Sequence, residues 1–272
     1  MRFPAASAPS HRAANAMEQL LAPQSQKFVS HFQRFEFKYH LSPLQADRIW
    51  TELASSHMRP DPVIADSPQP RYSVWSIYFD SPGLKCWREN ESGERRRFKL
   101  RARTYRGSGQ EETVFLEIKR KDDAVVTKDR LALPKALWQE AFLEEQDPFF
   151  LLGHPNVLGD RTVLEEFLWK QARYAMRPVC LVAYDRAPLV GRYNERFRVT
   201  VDQMIRASAI PSFDGHDAFL PVFRGRAVLE VKFNNKLPHW FHRILQRHEL
   251  RRAKFSKYYN GVSVLKRYRL IP

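Results

Sequence analysis

Cationic side chains recur at every second position in several short segments of the chain. The clearest case is Lys99-Leu100-Arg101-Ala102-Arg103, within a run that has six basic residues in nine positions. Alternate side chains of an extended strand point to opposite faces, so Lys99, Arg101 and Arg103 would share one face. Such groups can bind phosphate oxygens through charge-assisted hydrogen bonds. An antiparallel sheet that exposes one face to water would show the same alternation, so this segment alone leaves both interpretations open.

A glutamate placed two residues before a lysine recurs in three well-separated segments. The units are Glu36/Lys38, Glu117/Lys119 and Glu230/Lys232, and basic pairs with the same spacing occur at Lys128/Arg130 and Arg196/Arg198. A closed sheet whose interior is lined by these side chains would explain all of them together. Barrels of about eight strands have an interior that side chains can fill, or that can hold one small ligand.

An interior with this many cations must contain water or an anion, because each desolvated ion costs several kcal/mol. A triphosphate or polyphosphate fits best, since each phosphate offers several acceptor oxygens and arginine can bind them in a bidentate manner. The few carboxylates of the same face are then candidate ligands for a hard divalent cation, Mn²⁺ or Mg²⁺, shared with the phosphates.

The composition supports a folded protein with an anionic partner. The 272 residues are 43% hydrophobic and 13% aromatic, which is ample for a packed core. A net charge of +15 and a pI near 10.0 indicate nucleic acid, a membrane surface or a phosphate-rich small molecule as the partner. Charge alone does not choose among these three classes.

The remaining composition signals concern compartment and targeting. Cys86 and Cys180 are the only cysteines, which argues against a disulfide scaffold and fits a reducing compartment such as the cytoplasm. No run approaches the roughly 18 apolar residues of a membrane helix. Residues 1–30 are rich in Ala, Ser and Gln and lack an apolar signal region, so we predict a disordered N-terminal tail; a transit peptide is the alternative.

The elements that must position these residues follow one another from residue 31 to residue 272 without a domain break. The sequence predicts helices over 43–55, 84–91, 134–145, 163–175 and 237–250, and about eight alternating segments predict strands. Ser42-Pro43 is a typical helix start. We therefore predict one α+β domain: an antiparallel β-barrel of about eight strands with flanking helices.

Eight segments, in the same order along the chain, resemble the VTC domain. This is the catalytic domain of polyphosphate polymerases, within the triphosphate tunnel metalloenzyme (CYTH-like) superfamily. The segments are RFEFKY, KLRARTY, FLEIKRK, a Lys-Asp-Arg strand, AYDR, FRVTVD, LEVKF and KFSKYYNG, and they span residues 31–268. The resemblance implies an antiparallel β-tunnel in which the γ-phosphoryl group of ATP is transferred to a growing inorganic polyphosphate chain, assisted by Mn²⁺ or Mg²⁺.

The resemblance also implies roles for individual residues. Catalytic cations would be Arg101, Arg103, Lys119, Arg186 and Arg198, and substrate-binding cations Lys38, Lys128 and Lys257. Glu230 corresponds to the metal-binding carboxylate of the family, and Glu36 and Glu117 are further acidic candidates. Lys99 shares the parity of Arg101 and Arg103 but lies nearer the start of the strand, so we leave it outside the site. No nucleophilic side chain is required, because the acceptor is a phosphate oxygen that is already anionic.

Two departures from related proteins sharpen the expectation. The superfamily often begins with Glu-x-Glu-x-Lys, whereas Arg34 occupies the first of these positions, which favours the polymerase branch. Fungal VTC proteins carry a phosphate-sensing domain and membrane helices, neither of which is recognised here, so we expect a stand-alone, bacterial-type cytoplasmic enzyme of unknown oligomeric state.

Two other functions stay open at this point. A triphosphatase or cyclase would act on a small triphosphate in the same tunnel, and its products would distinguish it from a polymerase. A non-enzymatic binder of nucleic acid or another polyanion would show exposed basic and aromatic residues and salt-dependent binding. It would leave the repeated glutamates unexplained, so we expect no nucleic-acid partner.

Overall fold

A computed structural model describes residues 34–64, 70–123, 125–144, 147–215 and 218–272. These residues belong to one compact unit, 32–272. The tail predicted over residues 1–30 lies outside the described residues.

The strands form one antiparallel sheet, as the sequence predicts. They are β1 (Arg34–Leu41), β2 (Met58–Pro60), β3 (Tyr72–Asp80), β4 (Arg96–Arg106), β5 (Gln110–Asp122), β6 (Val125–Pro134), β7 (Arg177–Gly191), β8 (Arg198–Ser208), β9 (Leu220–Pro221) and β10 (Ala227–Asn234). Eight of them follow the order β1-β10-β8-β7-β3-β4-β5-β6, while β2 pairs with β7 and β9 pairs with β8.

The two ends of this order, β1 and β6, lie side by side without a hydrogen-bonded ladder between them in the described part of the chain. The barrel predicted from the sequence is therefore curled but not closed by backbone hydrogen bonds. Ionic contacts bridge the gap instead, because Lys119 Nζ of β5 lies 3.5 Å from Glu36 Oε2 of β1.

Six α-helices flank the sheet in the described residues. They are α1 (Pro43–Ser56), α2 (Lys85–Glu91), α3 (Lys135–Leu143), α4 (Arg161–Arg173), α5 (His239–Arg247) and α6 (Lys257–Arg267). Ser42 caps α1 in a capping box with Gln45, which confirms the predicted helix start. None of the helices predicted from the sequence covers α6. Gly261 lowers its helix propensity but brings it against β7 and β8, since a Cβ there would lie 3.0 Å from Val182 Cγ2.

The alternating segments place their apolar residues on the outer side of the sheet. Leu100 and Ala102 are inaccessible to solvent in one hydrophobic core, and Leu229 and Val231 are inaccessible in a second core, beside α1 and α5. Because side chains alternate along a strand, the charged residues between them occupy the opposite, inner face. The inner face therefore contains the charged side chains from which a site could be formed.

Candidate functional site

Three cations surround one inaccessible carboxylate on β5, and we call these four residues the Glu117 cluster. Arg101 Nε lies 2.5 Å from Glu117 Oε2, Lys128 Nζ lies 3.0 Å from Oε1, and Arg103 Nη1 lies 3.8 Å from Oε2. Arg101 and Glu117 are direct partners in the ladder between β4 and β5. Both carboxylate oxygens therefore face cations.

The neighbouring strand β3 fixes the two arginines of the Glu117 cluster. Ser76 Oγ accepts a hydrogen bond from Arg103 Nε at 3.0 Å, and Tyr78 OH accepts one from Arg101 Nη1 at 3.3 Å. Burial alone would raise the pKa of Glu117, but the three cations hold that pKa well below its usual range. With one permanent negative charge among three positive ones, the cluster keeps an excess of two positive charges.

A second buried carboxylate, Asp202 of β8, binds two cations, and we call these three residues the Asp202 cluster. Arg186 of β7 is bidentate, with Nε 2.7 Å from Oδ1 and Nη2 2.9 Å from Oδ2. Lys257 Nζ lies 2.5 Å from Oδ2 and 4.5 Å from the ring centroid of Tyr184. Burial would raise the pKa of Asp202, but Arg186 and Lys257 outweigh it and lower that pKa.

The third group, which we call the two-glutamate cluster, joins β1 and β10 and comprises Glu36, Lys38, Lys119, Glu230 and Lys232. Lys38 Nζ lies 3.0 Å from Glu36 Oε1 and 3.9 Å from Glu230 Oε2. Lys119 contacts Glu36, and Lys232 Nζ lies 2.6 Å from Glu230 Oε1. Burial and Glu230 would raise the pKa of Glu36, but Lys119, Lys38 and Lys232 lower it to about 2. Burial would likewise raise the pKa of Glu230, but Lys232, Lys38 and Lys257 hold it well below its usual range, so both glutamates are ionised near neutral pH.

The segment that leads into α6 ties the clusters together. Four consecutive residues, 255–258, each contact a different strand. The contacts are Lys38 Nζ of β1 to the carbonyl of Phe255 at 2.9 Å, Lys99 Nζ of β4 to Ser256 Oγ at 3.0 Å, Lys257 to Asp202 of β8, and the Tyr258 hydroxyl to Asp80 of β3. Lys257 also lies 4.0 Å from Glu230, which links the Asp202 cluster to the two-glutamate cluster.

The structure brings most of the sequence-predicted residues onto this inner face. Those in the three clusters are Lys38, Arg101, Arg103, Lys119, Lys128, Arg186, Lys257, Glu36, Glu117 and Glu230. Arg198 is different: as the first residue of β8 it keeps a side chain that is 46% exposed, with Nη1 3.9 Å from Asp61 Oδ2. It follows the inner parity of β8 but lies outside the three clusters.

Further charged residues occupy the inner face without having been assigned to the site from sequence, and three of them, Asp202, Lys232 and Lys99, contact the clusters or the segment before α6. Asp202 shares the parity of Arg198 in the FRVTVD segment, so strand alternation could have identified it. Lys232 belongs to the Glu230/Lys232 unit, and Lys99 shares the parity of Arg101. The sequence could not reveal that Asp202 contacts Arg186 and Lys257, or that Lys99 contacts Ser256, because these contacts join different elements of the fold. Lys232 instead contacts Glu230 on its own strand.

The carboxylates differ in their suitability for a metal ion. Within the described residues, no group of three or more His, Cys, Asp or Glu side chains is placed to hold one. Glu36 and Glu230 lie on paired strands and flank Lys38, and Mg²⁺ commonly uses one or two carboxylates together with substrate phosphates and water. This pair fits that donor set. Glu117 is enclosed by three cations, which favours a counter-ion role.

A family model describes most of this chain. The VTC domain model matches residues 33–266, so the chain belongs to the VTC domain family, as the resemblance implied. Membership of this family supports the assignment of the chain as an enzyme that acts on triphosphates. No curated protein matches the chain significantly.

Several solved structures are similar to this chain at low identity. One is a proposed adenylate cyclase from Bacillus halodurans, 12% identical, with a TM-score of 0.45 over 82% of this chain and 95% of that chain. Another is a proposed adenylyl cyclase from Hippeastrum, described as having a dominant triphosphatase activity. It is 13% identical, with a TM-score of 0.46 over 85% of this chain and 95% of that chain. Among the described helices, none has the length and apolar character needed to cross a membrane.

Proposed function

We propose that this chain is a polyphosphate polymerase that transfers the γ-phosphoryl group of ATP to a growing inorganic polyphosphate chain. The observation that carries the proposal is the arrangement of eight cations and four ionised carboxylates in the three clusters of one inner face. The excess of positive charge on this curled sheet suits a flexible, multiply charged anion. Family membership supports the same class of substrate.

Phosphoryl transfer suits a site of this composition because it needs positioning and charge neutralisation more than covalent chemistry. Arg101, Arg103 and Arg186 are each held by a buried carboxylate, so they are oriented before the substrate arrives. They would bind the equatorial oxygens of the transferred group as charge spreads over them. The acceptor is a terminal phosphate oxygen of the chain and is already anionic, so no side chain has to remove a proton.

The other cations have supporting roles in this proposal. Lys38, Lys119, Lys128 and Lys257 would bind the remaining phosphates, and Arg198 would bind them at the exposed end of β8. Glu230 and Glu36 would hold Mn²⁺ or Mg²⁺, which supplies further charge neutralisation at the phosphates. Glu117 would orient Arg101 and Arg103 through its carboxylate. Buried free Cys86 and Cys180 suit the cytoplasm.

Incubation of purified protein with ATP and MnCl₂, followed by gel analysis, tests the polymerase proposal. Long polyphosphate should form, and Arg101→Ala and Glu230→Gln should abolish it while circular dichroism shows an intact fold. Arg96→Ala is the matched control on the same strand, since Arg96 is exposed and pairs with Asp122 at 3.2 Å. Release of orthophosphate alone would identify a triphosphatase, and a cyclic nucleotide would identify a cyclase. Normal polymer synthesis by both site variants would reject the assigned site.

A further inference from the structure

The inner-face pairing of β4 and β5 changes character along the two strands. Arg101 is directly opposite Glu117, an oppositely charged pair inside the Glu117 cluster. The next inner pair is Lys99 opposite Lys119, and the one beyond it is Arg97 opposite Lys121. Like charges directly opposite one another destabilise a sheet, so these two successive pairs are unfavourable in the absence of an anion.

The partners of these cations leave most of their charge uncompensated. Lys99 Nζ donates to Asn90 Oδ1 and to Ser256 Oγ, each at 3.0 Å, and both acceptors are neutral. Arg97 donates to a backbone carbonyl. Among the described residues no carboxylate lies within 4.0 Å of the charged nitrogens of Lys99, Arg97 or Lys121, while Lys119 has Glu36 alone.

On the outer face of the same two strands, basic side chains contact carboxylates. Arg96 pairs with Asp122, and Arg120 contacts both Asp129 and Glu166. At these positions of β4 and β5, basic residues that face away from the interior are matched with acids, unlike the pairs Lys99/Lys119 and Arg97/Lys121 of the inner face.

The two like-charged pairs follow the spacing of the strands. Inner residues two apart on a strand are about 6.6–6.8 Å apart along it. The pairs Lys99/Lys119 and Arg97/Lys121 therefore continue the basic surface outward from the Glu117 cluster. We call these four residues the outer ladder.

We propose that the outer ladder, which begins at Lys119 of the two-glutamate cluster, binds the phosphates of a polyphosphate chain beyond those held in the three clusters. This inference rests on the proposed function, since it concerns the same polyanion in the same tunnel. It makes affinity dependent on chain length: tripolyphosphate is short enough to be held by the clusters, whereas a long chain also reaches the ladder. Such a chain places phosphates between cations that otherwise repel one another.

Binding of tripolyphosphate and of long-chain polyphosphate, measured by calorimetry without turnover, tests this proposal. The double variant Arg97→Gln/Lys121→Gln should lose roughly 10-fold or more in affinity for the long chain and less than about 2-fold for tripolyphosphate. The control is Arg95→Gln/Arg96→Gln, which removes the same charge from exposed positions paired with Asp123 and Asp122. It should leave both affinities within about 2-fold of the unmodified protein.

The outcomes separate the ladder from the polymerase proposal. Equal losses for the two ligands, or an equal loss in the control, would overturn the ladder as a chain-binding surface and indicate a general charge effect. Ladder-dependent binding by a protein that makes no polymer would support the ladder and reject the polymerase. Polymer synthesis with ladder-independent binding would reject the ladder alone.

Discussion

The inner face contains two basic regions that differ in how their positive charge is compensated. In the Glu117 and Asp202 clusters, arginines are fixed by inaccessible carboxylates and by polar side chains of β3. In the outer ladder, cations face cations and are held by neutral groups or a single glutamate. The first region is organised before a ligand arrives, and the second depends on a ligand for its counter-charge.

The pKa shifts of the arginines and of the ladder lysines follow the same division. Burial opposes charge in both regions, but Asp202 outweighs it at Arg186, and Tyr184 together with Glu117 outweighs it at Arg103, so the pKa values of both arginines are raised well above their usual range. Lys128 of the Glu117 cluster is an exception, because burial lowers its pKa. In the ladder burial prevails: it lowers the pKa of Lys99 to about 7 and that of Lys119 to about 8. A site can therefore combine permanent charges with charges that the ligand stabilises.

The largest expected effect comes from breaking the compensated region. Glu117→Gln leaves the largely buried Arg101 and Arg103, together with the partly exposed Lys128, around a neutral amide, so we expect a loss of about 3–5 kcal/mol in the free energy of unfolding. Urea denaturation followed by circular dichroism measures it. Asp122→Asn, at the exposed pair with Arg96, should change stability by less than about 0.5 kcal/mol. Equal stabilities of the two variants would show that the Glu117 cluster contributes no more to stability than the exposed pair of Arg96 and Asp122.

The next effect concerns catalysis and the Asp202 cluster. Asp202→Asn removes the negative charge that orients Arg186 and Lys257, so polyphosphate synthesis should fall roughly 10²–10³-fold, the loss typical of a misplaced transition-state donor. The rate is measured per folded molecule. Asp214→Asn, which loses an exposed pair with Lys135, is the control and should keep the rate of the unmodified protein. A folded Asp202→Asn protein with a normal rate would remove this cluster from the mechanism.

The smallest expected effect is a change in the protonation of one ladder residue, Lys99. The lysine at position 99 is faced by Lys119 of β5, Lys38 of β1, Arg97 of β4 and Cys86 of α2. Its folded pKa of about 7 lies below the unfolded value of about 10.4, so the unfolded chain binds more protons between these limits. This group therefore makes stability increase as pH rises from about 7 towards about 10.

An anion beside Lys99 favours its charged form, so polyphosphate binding at pH 8 should take up protons. Calorimetry in two buffers of different ionisation enthalpy measures the uptake, and Lys99→Met should reduce it by up to about one proton. Lys236→Met, at an exposed position, should leave it unchanged. Unaltered uptake in Lys99→Met would show that Lys99 does not respond to the ligand.

Much of this fold was predictable from local patterns. Alternation identified the inner face of β4, with Leu100 and Ala102 packed outside, and helix-start signals located α1. The helix α6 was not predicted, because its position depends on the close approach of Gly261 to β7 and β8. Propensity is overridden there by tertiary packing.

The candidate site was predictable in its residue types and less so in its pairings. Parity placed Arg101 and Glu117 on inner faces, but the register between β4 and β5 makes them partners and sets Lys99 against Lys119. Register depends on the whole sheet and on its turns, so single segments do not contain it. Arg198 shows that parity alone is not sufficient. It has the parity of the inner face, but as the first residue of β8 it lies beside Asp61 and outside the three clusters.

The four contacts made by residues 255–258 have a consequence for how this protein is made. Lys38 and its acceptor, the carbonyl of Phe255, are separated by 217 positions, and β1 pairs with β10 over its whole length. The inner face can therefore be completed only after the ribosome has released the segment around residue 257. Pairings of such long range fold slowly and leave strand edges exposed meanwhile. The surface that we propose for polyphosphate binding is therefore completed only late in translation.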